Sequence, residues 1–329
     1  MKFTQHLYLT SFNDSLCIIL HANYPILIKR INIFLSLLFI LIHSSAVLCQ
    51  SDTSQTLNQN ARRAIVFSTQ GALVVGSLVY LQDAWYSDFN SGDFHTIDDS
   101  GEWLQMDKIG HIAAVSMLSN INYQAYKWAG YSNTQATWMG FGISWGYLAS
   151  VEIMDGFSEG WGFSWSDIAA NTIGGALFVA QQLTWKDQRI IMKFSYHSTE
   201  YAAMRPEILG STDAQRVLKD YNGQTYWLSV NPQSFFKEKK VFPKWLNLSI
   251  GYSADGMLGG ESNVGEDYDF SHIPRIRQFY FSPDIDFSRI NTKSKFLKGL
   301  FVFLNMVKVP APTLEVDQNG KVNFYFFYF

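Results

Sequence analysis

Near residue 187 the hydrophobic period of this chain changes, and that change limits the possible folds more than any other feature. Before it lie four stretches without a formal charge, 64–82, 110–126, 128–151 and 168–185. Each is long enough for a helix that crosses, or nearly crosses, a hydrocarbon core of about 30 Å. Small residues recur in all four, among them Gly71, Gly76, Ala113, Gly140, Gly174 and Gly175, so backbones can approach closely. After residue 187 the segments 190–197, 225–230, 245–252, 278–287 and 321–329 alternate in polarity or are rich in β-formers. The expectation is an α+β chain: a small bundle of about four apolar helices followed by a β-rich, antiparallel C-terminal part. Five or six strands are too few for a closed transmembrane barrel of eight or more, so a partly open sheet on the helical unit is expected. The segment 292–307 sets Lys293, Lys295 and Lys298 against Phe296, Leu297, Leu300 and Phe301. It reads as an amphipathic helix with a basic edge, lying on an anionic surface or covering the sheet. Extended chain follows at 309–312.

Residues 29–50 read as an export signal, preceded by a leader that resembles no targeting element. Lys29-Arg30 form a basic region, 31–42 an apolar core and 43–50 a cleavage region, with Val47 and Cys49 at its −3 and −1 positions. The expected organisation is a leader and signal peptide at 1–49, a mobile linker at 50–61, a helical membrane-associated unit at 62–187, and a β-rich part at 188–329. Cys17 and Cys49 are the chain's 2 cysteines, so a chain processed there has no disulfide. Charged residues make up 16% and aromatics 16%, a balance poor in charge and rich in the rings favoured at membrane interfaces. A net charge of −3 without a dense basic patch argues against a nucleic-acid partner. The run from Asp83 to Glu102 is acidic and reads as a solvated loop facing away from the cytoplasm.

Within the uncharged stretches a few polar residues stand at helical spacing. They are Asp107-Lys108-x-x-His111, Glu152-x-x-Asp155-Gly156 and Ser164-x-x-Asp167-x-x-x-Asn171-x-x-Gly174. Ionisable groups are costly in apolar surroundings and need partners. Asp107 and His111 share a helix face, as do Asp167 and Asn171, and antiparallel packing would bring the ends near 107, 152 and 167 together. Ser164 reads as a helix N-cap for Asp167. The expected binding set is Asp107, Lys108, His111, Glu152, Asp155, Ser164, Asp167 and Asn171. His111, Asp107 and Asp167 are the candidates for catalysis, with His111 as general base. His111, Glu152 and Asp155 are the candidates for holding a metal, through Nε2 with Asp107 orienting the other ring nitrogen. The bland alternative is a buried network in which Lys108 pairs with Asp107 or Asp167.

In combination these motifs resemble the YfiM-like family of predicted periplasmic lipoproteins and, more distantly, VanZ-like membrane proteins, over roughly residues 60–185. The stretches Arg205-Pro206-Glu207 and Lys219-Asp220-Tyr221-Asn222-Gly223 to Ser229 look like a longer form from Gram-negative envelopes. Leu48 departs from the small residue that a lipid-attachment signal places before its cysteine. The resemblance implies an envelope location and a shared polar site, but no reaction. The functional expectation is an exported envelope protein without a cofactor, whose polar pocket binds an envelope lipid, glycan or protein partner. The alternative is a metal- or His-dependent hydrolase or transferase acting on an envelope lipid or glycan.

Overall fold

The computed structural model describes residues 57–82, 86, 91–236 and 241–328. The signal-peptide reading, both cysteines, most of the linker, Asp83, Asp88 and Phe329 lie outside the described residues. Within them the chain is α+β: four long helices and four short ones, with a six-stranded antiparallel sheet in the C-terminal part.

The long helices are α1 (Gln59–Leu81), α2 (Met106–Trp128), α3 (Asn133–Gly156) and α4 (Trp165–Thr184). Each outruns its uncharged stretch at one end or both, because polar caps and first-turn residues belong to the helix but not to its apolar stripe. Asn58 caps α1 through Ala61 N, and Ser132 caps α3 in a full capping box with Gln135. Of these helices α1 alone is both long and apolar enough to cross a membrane, by length and composition only. The small residues act where close approach is needed. An added Cβ on Gly174 would lie 2.2 Å from the carbonyl oxygen of Ile112, so α4 touches the backbone of α2 there. The bundle core gathers Val66, Tyr123, Tyr126, Ala136 and Phe178.

The sheet comprises β3 (Ile190–Tyr196), β4 (Gln224–Val230), β5 (Leu246–Asp255), β6 (Ile276–Ile285), β7 (Ala311–Asp317) and β8 (Val322–Tyr328), each beside its neighbour in sequence. A two-residue parallel pair, β1 (Thr96–Ile97) with β2 (Phe163–Ser164), sits in the helical part. Strand β7 exceeds the extended chain expected at 309–312, because its alternation begins directly after Pro312. Pro283 stands inside β6 opposite Leu248, but β7 pairs only with Gln278–Phe281 of β6. The short helices α5 (Tyr201–Met204), α6 (Pro206–Leu209) and α7 (Asp213–Lys219) connect β3 to β4. The expected amphipathic helix is α8 (Lys295–Leu304), shorter than 292–307 and followed by Asn305, which bonds Asp286 and Phe287 N.

The sheet is more closed than a partly open one. Residues 306–308, which lead into β7, pair with the far edge of β3 through Phe194 N to Met306 O (2.8 Å) and Lys308 N to Phe194 O (2.9 Å). Tyr328 at the end of β8 stacks near Trp227 of β4 and His197 beyond β3. Six strands therefore curl around a filled interior. Gly251 leaves room for Trp227 there: a Cβ would meet the indole at 2.8 Å.

Candidate functional site

Just before α2 the backbone makes a left-handed turn at Trp103, Leu104 and Gln105, with φ of 48°, 50° and 65°. Such a run costs roughly 1–2 kcal/mol per residue and persists only where surrounding packing fixes it. Trp103 is buried with Met106, Leu209, Met257 and Leu258, and its N–H donates to Gly260 O at 2.7 Å. Arg277 and the Tyr252 hydroxyl both donate to Leu104 O. The turn starts α2 at Met106, so Asp107, Lys108 and His111 fall on its first turns.

Asp107, Lys108, His111, Glu152, Ser164, Asp167 and Asn171 do come together, and Asp155 joins them at the cavity wall. Lys108 Nζ lies 2.6 Å from Asp99, 2.9 Å from Asp107 and 2.7 Å from Asp167. Ser164 Oγ accepts from Asp167 N at 3.0 Å, the N-cap read from the sequence, and donates to Asp99 at 2.6 Å. His111 Nδ1 bonds Asn171 Oδ1 at 3.0 Å. Its Nε2 faces Glu152, Asp107 and Asp167 at 3.6, 3.7 and 3.8 Å. The orienting partner of the imidazole is therefore Asn171 and not Asp107, because Asp107 sits one helical turn back, on the Nε2 side. Asp155 is not part of the group around Nε2; it accepts from the Tyr86 hydroxyl at 2.7 Å.

Three members of the site were missed from the sequence. Asp99 was read as part of a solvated loop, yet it is buried against Lys108, Ser164 and Ser166. Tyr221 donates to Asp107 Oδ1 at 2.6 Å from beyond β3, and Tyr86 donates to Asp155 at 2.7 Å from beyond α1. The signal available for Asp99 was its place in the Asp98-Asp99 pair just ahead of the Asp107 motif; Tyr86 and Tyr221 had none in local spacing.

These surroundings drive the carboxyls apart. Burial, with the charges of Asp167, Asp155 and Asp107, pushes Glu152 up to about 9. Burial lifts Asp155 to about 7, and burial with the Asp107 charge lifts Asp167 to about 7. Burial alone would raise Asp107 too, but His111, Lys108 and the Tyr221 hydroxyl hold it at about 2. Near neutral pH the site thus pairs an ionised Asp107 with a protonated Glu152. Two carboxyl groups facing the same His111 Nε2 can then act as acceptor and donor.

The cavity has a volume of roughly 230 Å³. Its lining mixes the polar His111, Asp107, Glu152, Asp155 and Asp167 with the apolar Leu81, Leu148, Val151 and Trp161. Ligand atoms of Asp107, His111 and Asp167 lie within 4.8 Å of one another, a group able to hold a metal ion.

Residues 95–182 match the family model described as a predicted periplasmic lipoprotein (DUF2279). The matched region runs from β1 almost to the end of α4 and so carries every member of the polar cluster except Tyr86 and Tyr221. It supports an exported protein of the cell envelope, facing the periplasm. No curated protein and no solved structure matches the chain.

Proposed function

We propose that this is a membrane-associated protein of the cell envelope whose pocket binds an amphiphilic envelope component, its polar head at His111 and its apolar part along Leu81, Leu148 and Val151. The observation that carries this reading is the mixed lining of the cavity, where Nε2 of a fixed imidazole stands among buried carboxyls and the aliphatic Leu81, Leu148 and Val151 share the same space. A purely structural network has no need of an open cavity beside it. An ionised Asp107 accepts from hydroxyl or amine groups, and the protonated Glu152 donates. Native mass spectrometry of the full chain, extracted in mild detergent, tests the reading. The wild type retains a bound envelope lipid; His111→Ala and Asp167→Asn each lower its occupancy about tenfold. If both variants lose only thermal stability and keep full occupancy, the pocket reading fails and the buried network remains.

A second reading, metal-assisted hydrolysis or transfer, is favoured by one measurement. The Nε2-to-carboxylate distances of 3.6–3.8 Å are too long for hydrogen bonds. Asp107, His111 and Asp167 offer three ligand atoms within 4.8 Å of one another, the three-ligand set that catalytic zinc sites use with one position left open. Asn171 then has the usual role of fixing the ring through its other nitrogen. His111, Asp107 and Asp167 would hold the ion, which would polarise a phosphoryl or carbonyl oxygen. The Lys108 ammonium already pairs with Asp99, Asp107 and Asp167 and competes with a cation for Asp107 and Asp167, so binding reads first. Elemental analysis separates the two: stoichiometric zinc or manganese lost in His111→Ala favours the second.

A further inference from the structure

The C-terminal sheet is inside out by the rule for sheets in water, which bury their apolar face. Lys193, Trp227, Ser229, Asn247, Ser282 and Asp284 point into its interior, each no more than 2% exposed. They satisfy one another: Lys193 pairs with Asp284 at 2.8 Å, Ser229 donates to Asp284 at 2.7 Å, and Asn247 donates to Ser229 at 3.0 Å. The other face carries a cross-strand row, Leu228–Ile250–Phe281–Leu314–Phe324, continuous in register through five strands. In that row Ile250 is 60%, Phe281 50% and Phe324 57% exposed. In the next row Tyr226 and Tyr252 are covered by the start of α2 and the left-handed turn, and beyond them Phe279, Val316 and Val322 are bare again.

No charged side chain interrupts the outward rows. On these strands the one outward charge, Arg277, lies at a rim, where β6 begins. Strands β5 and β6 have 10 residues each, the length of a tilted transmembrane strand of about 9–11 residues. A polar interior, an apolar exterior and charge confined to the rims are the pattern of a sheet solvated by lipid. A second copy of the chain would cover one side of a surface that curves through five strands, whereas hydrocarbon wets all of it. Two other elements agree. Helix α1 leaves Val75 and Val79 bare, and α8 sets exposed Phe296 beside Lys295 and Lys298.

We propose that the outward face of β4–β8 is immersed in the hydrocarbon of a lipid bilayer, around a barrel-like interior filled by polar side chains. The test uses the full chain with Cys17→Ser and Cys49→Ser. Single cysteines are placed at Ile250→Cys, Phe324→Cys and, as an aqueous reference, Glu261→Cys, and labelled with an environment-sensitive NBD dye. The protein is reconstituted into phosphatidylethanolamine–phosphatidylglycerol vesicles. Dyes at 250 and 324 are expected to shift to the blue, to lose at least fivefold in iodide quenching, and to be quenched by lipids carrying a nitroxide on the chain. The dye at 261 keeps its iodide quenching. Equal iodide access at all three sites overturns the proposal. So does shielding of 250 and 324 in a dimer that excludes nitroxide lipid, which would assign this face to a second copy. Val322→Cys substitutes where either labelled variant fails to fold, and its dye is judged by the same outcomes.

Discussion

Asn171 holds His111 by Nδ1 at 3.0 Å, and this single bond leaves Nε2 as the ring nitrogen that faces the cavity. Both residues stand on different helices, α2 and α4, at the point where Gly174 lets the two backbones touch. Asn171→Ala is expected to free the ring and lower ligand occupancy about tenfold, as loss of an orienting partner does at metal and binding sites. Native mass spectrometry beside His111→Ala checks it.

Lys108 is tied to three carboxylates while only 11% of its side chain is exposed. Lys108→Met leaves Asp99, Asp107 and Asp167 buried without their counter-charge. The expected loss is about 3–5 kcal/mol of stability, read from urea or thermal unfolding. A loss below about 1 kcal/mol would show that solvent screens the cluster.

Stability should fall as the pH rises from about 4.5 towards 9, and the sign follows from Glu152. Its folded value of about 9 lies above its ordinary 4.5, so the folded state holds a proton that the unfolded state has released. The contribution is complete below the unfolded value and lost through the folded one, at up to about 1.4 kcal/mol per pH unit. Asp155 and Asp167 act in the same direction up to about 7. Glu152→Gln should flatten the melting-temperature profile above pH 7 and raise stability at pH 8.5.

Close approach at Gly174 predicts a packing defect. Gly174→Ala puts a methyl 2.2 Å from Ile112 O, backbone that cannot swing away. The expected cost is about 1–3 kcal/mol, together with weaker ligand occupancy as α4 shifts from α2. By contrast, Lys186 just past α4 is exposed with φ of 54°. Lys186→Gly should therefore stabilise by about 1 kcal/mol without touching the site.

The polar motif was legible because helical spacing puts Asp107 with His111 and Asp167 with Asn171 on shared faces, and because small residues mark the contacts between those helices. Asp99, Tyr86 and Tyr221 were not legible. Each reaches the cluster from outside the four long helices, where no period announces a contact. Alternation in β4 to β8 showed two faces but not which one looks inward; that depends on how far the sheet curls. Closure itself rests on one bridge at Phe194 and Val307, which no local pattern encodes.

That bridge has a consequence for how the molecule is made. The strand holding Phe194 is synthesised more than a hundred residues before its partner at 306–308, so during export its edge stays unpaired until that segment has emerged. Long-range pairings of this kind form late, and open strand edges recruit other chains. Secretion of this protein should accordingly depend on periplasmic chaperones that shield an unfinished ring.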